Sequence, residues 1–450
     1  MKEFLLGQAV EAVCGTYHGD EAALMKRVGG VVIDNRKVEP DFLFVPIKGE
    51  RFDGHDFIPS AYEAGALACI TERELETDKP YILVKDSLLA FQTLAEFYKG
   101  LFHVKTIGIT GSVGKTTTKE LVSSVLSQKY DVLKSEGNLN NQTGVPLTVF
   151  RLEDHHEIAV VEMGTNHFGE IRNLAKIARP DFCFLTNIGE AHIEHLGSKE
   201  GILEAKSEML EYMKPGGRVF VNGDDPYLRT LKEARPDVTT FGKDPQNDIY
   251  AGEIESKGLG GSDFVIYTPD LKFPAHVPSP GGHMVYNALA AAAAGLALGM
   301  QPEEIRKGLA EYRTIAGRMC IETKNGITVL NDVYNANPGS MRAALDVLAY
   351  AEGGKVCVLG DMLELGDKAE QYHWELGAYA AKKADRVLCV GTLAQHIYTG
   401  AKEAGAEAFC FGTQDELLAK IWELVRKDDA VLVKASRGMQ LEKTVEFLLK

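Results

Sequence analysis

The chain has 450 residues, of which 45% are hydrophobic and 25% charged, with a formal net charge of −15. That length predicts about three domains, and the composition is that of a water-soluble globular protein. The acidic balance excludes a nucleic-acid binder working through bulk electrostatics, but it does not bear on nucleotides, which local loops hold.

Residues 1–102 mix short β-runs at 31–33, 42–47 and 81–84 with a closing amphipathic helix at 87–98. Residues 103–316 alternate strand and helix, with strands expected at 107–109, 158–161, 182–185 and 219–221. Such alternation predicts a parallel sheet covered by helices. A polar, Gly-rich stretch at 253–270 reads as an added β-region. Residues 317–450 alternate again, at 356–359, 387–390, 408–411 and 431–433. They read as a Rossmann-like domain without the Gly-x-Gly-x-x-Gly fingerprint. The fold class is therefore α/β in three domains.

The seven cysteines are scattered, with no Cys-x-x-Cys spacing. Several sit in apolar runs, which predicts buried thiols in a reducing compartment. The apolar part of the N-terminus is too short for a secretory signal. The longest run of small apolar residues, 288–300, falls short of the roughly 20 residues that span a bilayer. A cytoplasmic protein without membrane insertion is expected.

Gly108-Ile109-Thr110-Gly111-Ser112-Val113-Gly114-Lys115-Thr116-Thr117-Thr118 carries the strongest signal. It follows a β-run and opens a helix, the build of a phosphate-binding loop. Its glycines let backbone N–H groups close round an anion at a helix N-terminus. Lys115 would reach the phosphates and Thr116 a Mg²⁺ ion. The strict pattern places a glycine at 109, where this chain has Ile109, so an ordinary Gly-rich turn is the alternative. Downstream, Glu162 and His192 each follow an apolar strand, where ligands of open α/β sheets bind. Glu162 is either a metal ligand or a solvated strand end, and His192 a metal ligand or a structural hydrogen-bonder. His192 and His195 have helical spacing, but no cysteine or carboxylate cluster completes a zinc site.

These segments, taken in order, resemble the Mur ligases, ATP-dependent amide-forming enzymes of peptidoglycan assembly. The resemblance runs from the phosphate loop through Gly137-Asn138-Leu139-Asn140-Asn141-Gln142-Thr143-Gly144, Glu162-Met163-Gly164-Thr165-Asn166, Thr186-Asn187-Ile188-Gly189-Glu190-Ala191-His192 and Glu204-Ala205-Lys206-Ser207-Glu208. It continues through Gly317-Arg318, Asn331-Asp332-Val333-Tyr334-Asn335-Ala336-Asn337-Pro338, Leu359-Gly360-Asp361-Met362-Leu363-Glu364-Leu365-Gly366 and Val433-Lys434-Ala435-Ser436-Arg437. The family's glycine loop is the shorter form seen here.

The resemblance implies three domains: a UDP-substrate-binding domain at 1–102, a central ATP-binding domain at 103–316 and a C-terminal ligase domain at 317–450. It implies ATP and Mg²⁺ as cofactors. Of the family's types, it points to the one that takes UDP-N-acetylmuramoyl-tripeptide and D-alanyl-D-alanine through an acyl phosphate, acting as a monomer. ATP would be held by Gly111, Ser112, Val113, Gly114, Lys115, Thr116, Thr117, His283, Asn287, Arg318 and Asp332. The metal would lie at Thr116, Glu162, His192 and Lys206, the last matching a lysine that the family carries carbamylated. Lys115, Lys206, His192 and Arg318 would serve catalysis. The dipeptide would meet Asn335, Ala336, Lys434, Ser436 and Arg437. The uridine nucleotide would meet Asp34, Asn35, Arg36, Lys48, Gly49 and Asn141. Asn35 stands where the family usually has serine.

Each assignment has a plainer alternative. Lys206 reads as a surface lysine, Asn287 as the N-cap of the alanine-rich helix, Asn335–Pro338 as a turn, and 34–36 and 48–55 as solvated loops. Within the superfamily, the diamino-acid-adding ligase and folylpolyglutamate synthetase are the other readings. The former's usual Asp-Asn-Pro-Arg tetrapeptide is absent. An ATP-driven switch is the reading outside it, and would hydrolyse ATP without acceptor or amine.

Overall fold

Three sheets form in succession along the chain in this computed structural model, which describes residues 1–49, 52–235 and 237–450. Two residues of the 48–55 segment, Glu50 and Arg51, lie outside the described residues.

The first sheet holds β1 (Thr16–His18), β2 (Gly30–Val32), β3 (Phe42–Phe44), β4 (Ala68–Thr71) and β5 (Tyr81–Leu83), in the order β1-β5-β4-β3-β2. β1 runs antiparallel to β5 and the other neighbours are parallel. β1 and β4 were not among the expected runs. One is only a few residues long, and the other follows alanine-rich sequence that favours a helix on local grounds. The helix Ser87–Gly100 starts at Asp86, whose side chain accepts from Leu89 N.

The central sheet holds β6 (Lys105–Thr110), β7 (Val132–Lys134), β8 (Ile158–Glu162), β9 (Phe182–Leu185), β10 (Arg218–Asn222), β11 (Thr239–Gly242), β12 (Ile249–Ser256), β13 (Ser262–Tyr267) and β14 (Lys272–Val277). Their order is β14-β13-β12-β11-β10-β9-β6-β8-β7. β12 to β14 form an antiparallel meander, so the Gly-rich stretch is the β-region expected. The other neighbours are parallel, and β6 lies between β8 and β9. Register sets Ile109 opposite Glu162 and Thr110 opposite Leu185. Three carboxyl ends that carry predicted site residues therefore sit side by side at a point where the strand order reverses, the place where such sheets bind ligands.

The third sheet holds β15 (Cys320–Lys324), β16 (Ile327–Asn331), β17 (Lys355–Gly360), β18 (Arg386–Val390), β19 (Glu407–Phe411) and β20 (Ala430–Lys434), in the order β15-β16-β20-β17-β18-β19. Only β15 is antiparallel. It has its own apolar cores, one on each face. The first sheet has a small core of its own at Val38, Phe44, Ile58, Ala61 and Cys69, but its larger core is shared, running from Phe4 through Tyr98 into Leu152, Met163 and Val219 of the central unit.

The alanine-rich helix His283–Ala297 is almost wholly buried against the central sheet. No helix among the described residues is long and apolar enough to cross a membrane.

Candidate active site

β6 ends at Thr110 and the chain turns through Gly111–Gly114 into the helix Lys115–Leu126. A Cβ at Gly111 would sit 1.9 Å from Thr186 Oγ1, and Gly114 has φ +81°. Only glycine fits both places. The loop is held from behind: Asn187 Oδ1 accepts from Val113 N at 2.8 Å, and Ser112 Oγ accepts from Gly189 N at 2.9 Å. These bonds tie the loop to the segment that follows β9. Lys115 folds back to donate to Gly111 O at 2.7 Å. Burial, aided by the Arg318 charge and opposed by Glu162, lowers its pKa.

Glu162, at the end of β8, is 1% exposed, so the solvated-strand-end reading fails. Its Oε1 accepts from Thr116 Oγ1 at 3.1 Å and Asn140 Nδ2 at 2.8 Å. Its Oε2 is buried without a hydrogen-bond partner, 3.8 Å from the ammonium of fully buried Lys119. A buried carboxylate oxygen left open beside a threonine hydroxyl fits a magnesium ion, which uses one or two protein carboxylates and takes its remaining ligands from phosphates and water. Among the described residues no group of three or more His, Cys, Asp or Glu is placed to hold a metal, so zinc lacks a ligand set here.

Lys206 is 1% exposed on the helix Lys199–Ser207, so it is not a surface lysine. Burial first, and the charge of Lys115 second, pull its pKa well below the ordinary lysine value. Asn287 lies inside its helix, which begins at His283, so the N-cap reading also fails. Asn287 Oδ1 accepts from Thr118 Oγ1 at 3.1 Å.

The C-terminal unit forms the opposite wall. Lys434, at the end of β20 and 2% exposed, donates to Asp332 Oδ2 at 2.6 Å and Asn335 O at 2.8 Å. Ser436 Oγ accepts from Leu363 N at 2.9 Å. Asn337 does act as a turn residue: its side chain caps the helix Pro338–Leu348. Arg318 reaches across to donate to Thr116 Oγ1 at 3.1 Å.

Between the walls lies a cleft of about 860 Å³. It gathers every residue expected for ATP, dipeptide and metal except Gly111 and Lys206. Of the expected uridine-site residues only Asn141 lines it. Asp34, Asn35, Arg36, Lys48 and Gly49 lie elsewhere, in the first unit. There Asp34 accepts twice from the Arg36 side chain, at 2.9 and 2.8 Å. That bond draws the Asp34 carboxyl down to about 2. Asn35 donates to Ser60 Oγ at 3.0 Å.

Sequence reasoning missed four contributors. Tyr334 has Arg318 over its ring at 3.8 Å and Arg437 at 5.5 Å. Asn140 and Lys119 hold Glu162, and Glu364 meets His192. Tyr334, Asn140 and Glu364 lie inside the quoted motifs and Lys119 directly follows the phosphate loop, so the signal was their position beside residues with assigned roles.

The family models that match are Mur ligase family, catalytic domain, over residues 27–101; Mur ligase middle domain, over 109–295; and Mur ligase, glutamate ligase domain, over 317–437. The chain belongs to the Mur ligase family. It is 42% identical to the UDP-N-acetylmuramoyl-tripeptide--D-alanyl-D-alanine ligase of Bacillus subtilis, over 94% of this chain and 93% of that one. Among solved structures it is similar to crystal structure I of MurF from Acinetobacter baumannii, with TM-score 0.94, 35% identity and coverage of 100% of this chain and 99% of that one. It is also similar to the MurF ligase of Thermotoga maritima in complex with ADP, with TM-score 0.84, 31% identity and coverage of 93% and 97%. These Mur ligase likenesses span all three sheets, which agrees with the three-domain α/β class read from the sequence.

Proposed function

We infer that the chain is an ATP-dependent amide ligase that joins D-alanyl-D-alanine to UDP-N-acetylmuramoyl-tripeptide, a step of peptidoglycan assembly that uses ATP and Mg²⁺. One observation carries the reading: the phosphate loop and a C-terminal set built on Lys434, Asp332 and Ser436 face each other across one cleft, in a chain nearly collinear with ligases of that activity. We place the reaction in the cytoplasm, with the protein a monomer of three domains divided at 102/103 and 316/317.

ATP gives its γ-phosphoryl group to the tripeptide carboxylate, leaving ADP and an acyl phosphate; the dipeptide amine then attacks the acyl carbon, and phosphate leaves as the amide forms. The protein's part begins with charge. Two anions must meet, and Lys115 and Arg318 offset their repulsion and stabilise charge that develops on the transferring group. Thr116, Glu162 and His192 would hold the magnesium ion, which screens the phosphates. Asn287 and His283 would take adenine, and Asp332 the ribose. Lys434, fixed by Asp332 and Asn335, leaves little freedom to the dipeptide wall it shares with Ala336, Ser436 and Arg437. Acyl phosphates hydrolyse readily, so closure of the two walls protects the intermediate from water.

The buried amine of Lys206, its pKa lowered by burial, would take up CO₂ as a carbamate and so supply a carboxylate to the metal. Lys206→Ala is then nearly inactive and partly restored by acetate. Well-ordered crystals grown with bicarbonate that show a bare Nζ would remove this role.

Phosphate release across a panel of UDP-muramoyl peptides and D-amino dipeptides tests the whole reading. Turnover should require both the tripeptide nucleotide, with L-lysine or meso-diaminopimelate in third place, and D-alanyl-D-alanine. Equal ATP hydrolysis with neither present would indicate the switch instead.

A further inference from the structure

His192 and Glu364 come from different units. His192 follows β9 in the central unit, and Glu364 follows β17 in the C-terminal one. Glu364 Oε2 lies 2.9 Å from His192 Nδ1. That nitrogen is buried and has no aligned hydrogen bond to any described residue. Both residues also have left-handed backbones, φ 61° at His192 and φ 62° at Glu364. Neither is glycine, and non-glycine residues held in that region cluster at functional sites. An ordinary surface ion pair would not need two unfavourable backbones to bring it about. The loop bearing Glu364 is itself anchored, because Leu363 N donates to Ser436 Oγ at 2.9 Å, in the wall assigned to the dipeptide.

We propose that Glu364 is a positioning residue that holds the His192 ring from across the cleft, so that His192 is oriented for its ligand only when the C-terminal unit is seated. Histidines that ligate metals nearly always give their second ring nitrogen to a carboxylate or carbonyl, which fixes ring orientation and tautomer. Here the carboxylate arrives from another unit. The anchored loop makes seating of the dipeptide wall and orientation of His192 one event. The proposal rests on the reading of His192 as a magnesium ligand.

The test is Mg²⁺-dependent binding of ADP by calorimetry, with kcat and KM measured alongside, in wild type, Glu364→Ala, Glu364→Gln, His192→Ala and the double alanine variant. Thermal unfolding first establishes that each is folded. Loss of an outer carboxylate typically weakens metal affinity or activity by about tenfold or more. Glu364→Ala should raise by about that factor the Mg²⁺ concentration needed for half-maximal ADP binding. It should lower kcat while KM for ATP at saturating Mg²⁺ stays within about twofold, and the glutamine variant should fall between. In the His192→Ala background, removal of Glu364 should add nothing, since the two act as a unit. If His192→Ala shifts the Mg²⁺ dependence and Glu364→Ala does not, Glu364 has no positioning role and the magnesium reading stands. If His192→Ala shifts nothing, both fall. A merely structural pair would change the melting temperature and leave the Mg²⁺ dependence and kcat alone.

Discussion

Phe4 packs edge-on against Tyr98, and Phe91 and Tyr98 pack at a tilt against Phe150, where the first unit meets the central one, and the Tyr98 hydroxyl donates to Leu152 O at 2.8 Å while accepting from Lys2 N at 2.7 Å. Where the central unit meets the C-terminal one, the side-chain bonds are polar, Arg318 to Thr116 and Glu364 to His192, and the half-buried Leu259 packs against the C-terminal core. Glu364 is half exposed in that pair. Buried aromatic area stabilises by kilocalories per side chain, whereas exposed ion pairs contribute about 0–1 kcal/mol each. The first seam is therefore expected to stay shut and the second to open and close. Function should divide along the same line. Groups on the fixed side bind substrate, and groups that meet across the mobile seam bring about the reaction. A hinge at residues 314–318 suits this division, with left-handed Gly317 and Met319 at its end.

The largest effect expected is at the mobile seam. Lys115→Ala should lower kcat/KM about a thousandfold, or about 4 kcal/mol of transition-state stabilisation. Its melting temperature should stay near that of wild type, because the loop keeps its bonds through Asn187 and Ser112 when the Lys115 bond to Gly111 O is lost. Near-normal turnover of the folded variant would remove the phosphate-loop assignment.

The fixed seam has its own probe in Lys99, 4% exposed beside it. Burial lowers its pKa from 10.5 to about 8. Between those values the unfolded chain keeps the proton and the folded chain has lost it, so stability rises with pH across that window, by about 3 kcal/mol. Lys99→Met should abolish that rise. Urea unfolding at pH 7.5 and pH 10 would show the variant's advantage over wild type shrinking at the higher pH. An unchanged difference would mean that water reaches Lys99 and the seam is looser than its packing suggests.

Arg318→Ala should cost about a hundredfold in kcat, close to 2.7 kcal/mol, with little change in ATP affinity, because the guanidinium meets the phosphates only after closure. Scattering should give wild type a smaller radius of gyration with a non-hydrolysable ATP analogue and the muramoyl substrate than without them. Identical radii together with full activity of the variant would overturn closure.

How much of this was legible in the sequence follows the same division. The phosphate loop, Glu162 and His192 could be placed because strand, glycine loop and helix are local signals, and the ends of adjacent parallel strands are close in space whatever the loops between them do. The C-terminal set was read from resemblance alone. Nothing local tells that Lys434 and Asp332, about a hundred residues apart, make one ion pair. Burial was the other blind spot. Lys206, Lys119 and Glu162 have the residue types of a surface, and only tertiary packing removes them from water. Short strands such as β1 and β4 were missed for a related reason: their pairing partners, and not their own residues, make them strands.

The smallest effect tests the fixed side. Arg36 is exposed and held mainly by Asp34, and neither lines the cleft. If the first unit only anchors the uridine nucleotide, its contacts are equal in ground state and transition state, and their loss raises KM without changing kcat. Arg36→Ala should therefore raise KM for the muramoyl nucleotide severalfold, with kcat, KM for ATP and KM for the dipeptide unchanged. Asn35→Ser, which restores the residue usual in the family, should leave KM within about twofold, since both side chains hydrogen-bond in that position. Initial rates at saturating ATP and dipeptide decide the matter. A fall in kcat for Arg36→Ala would mean that the first unit also senses the reaction, and that the seam packed around Tyr98 transmits what the comparison of the two seams says it should merely hold.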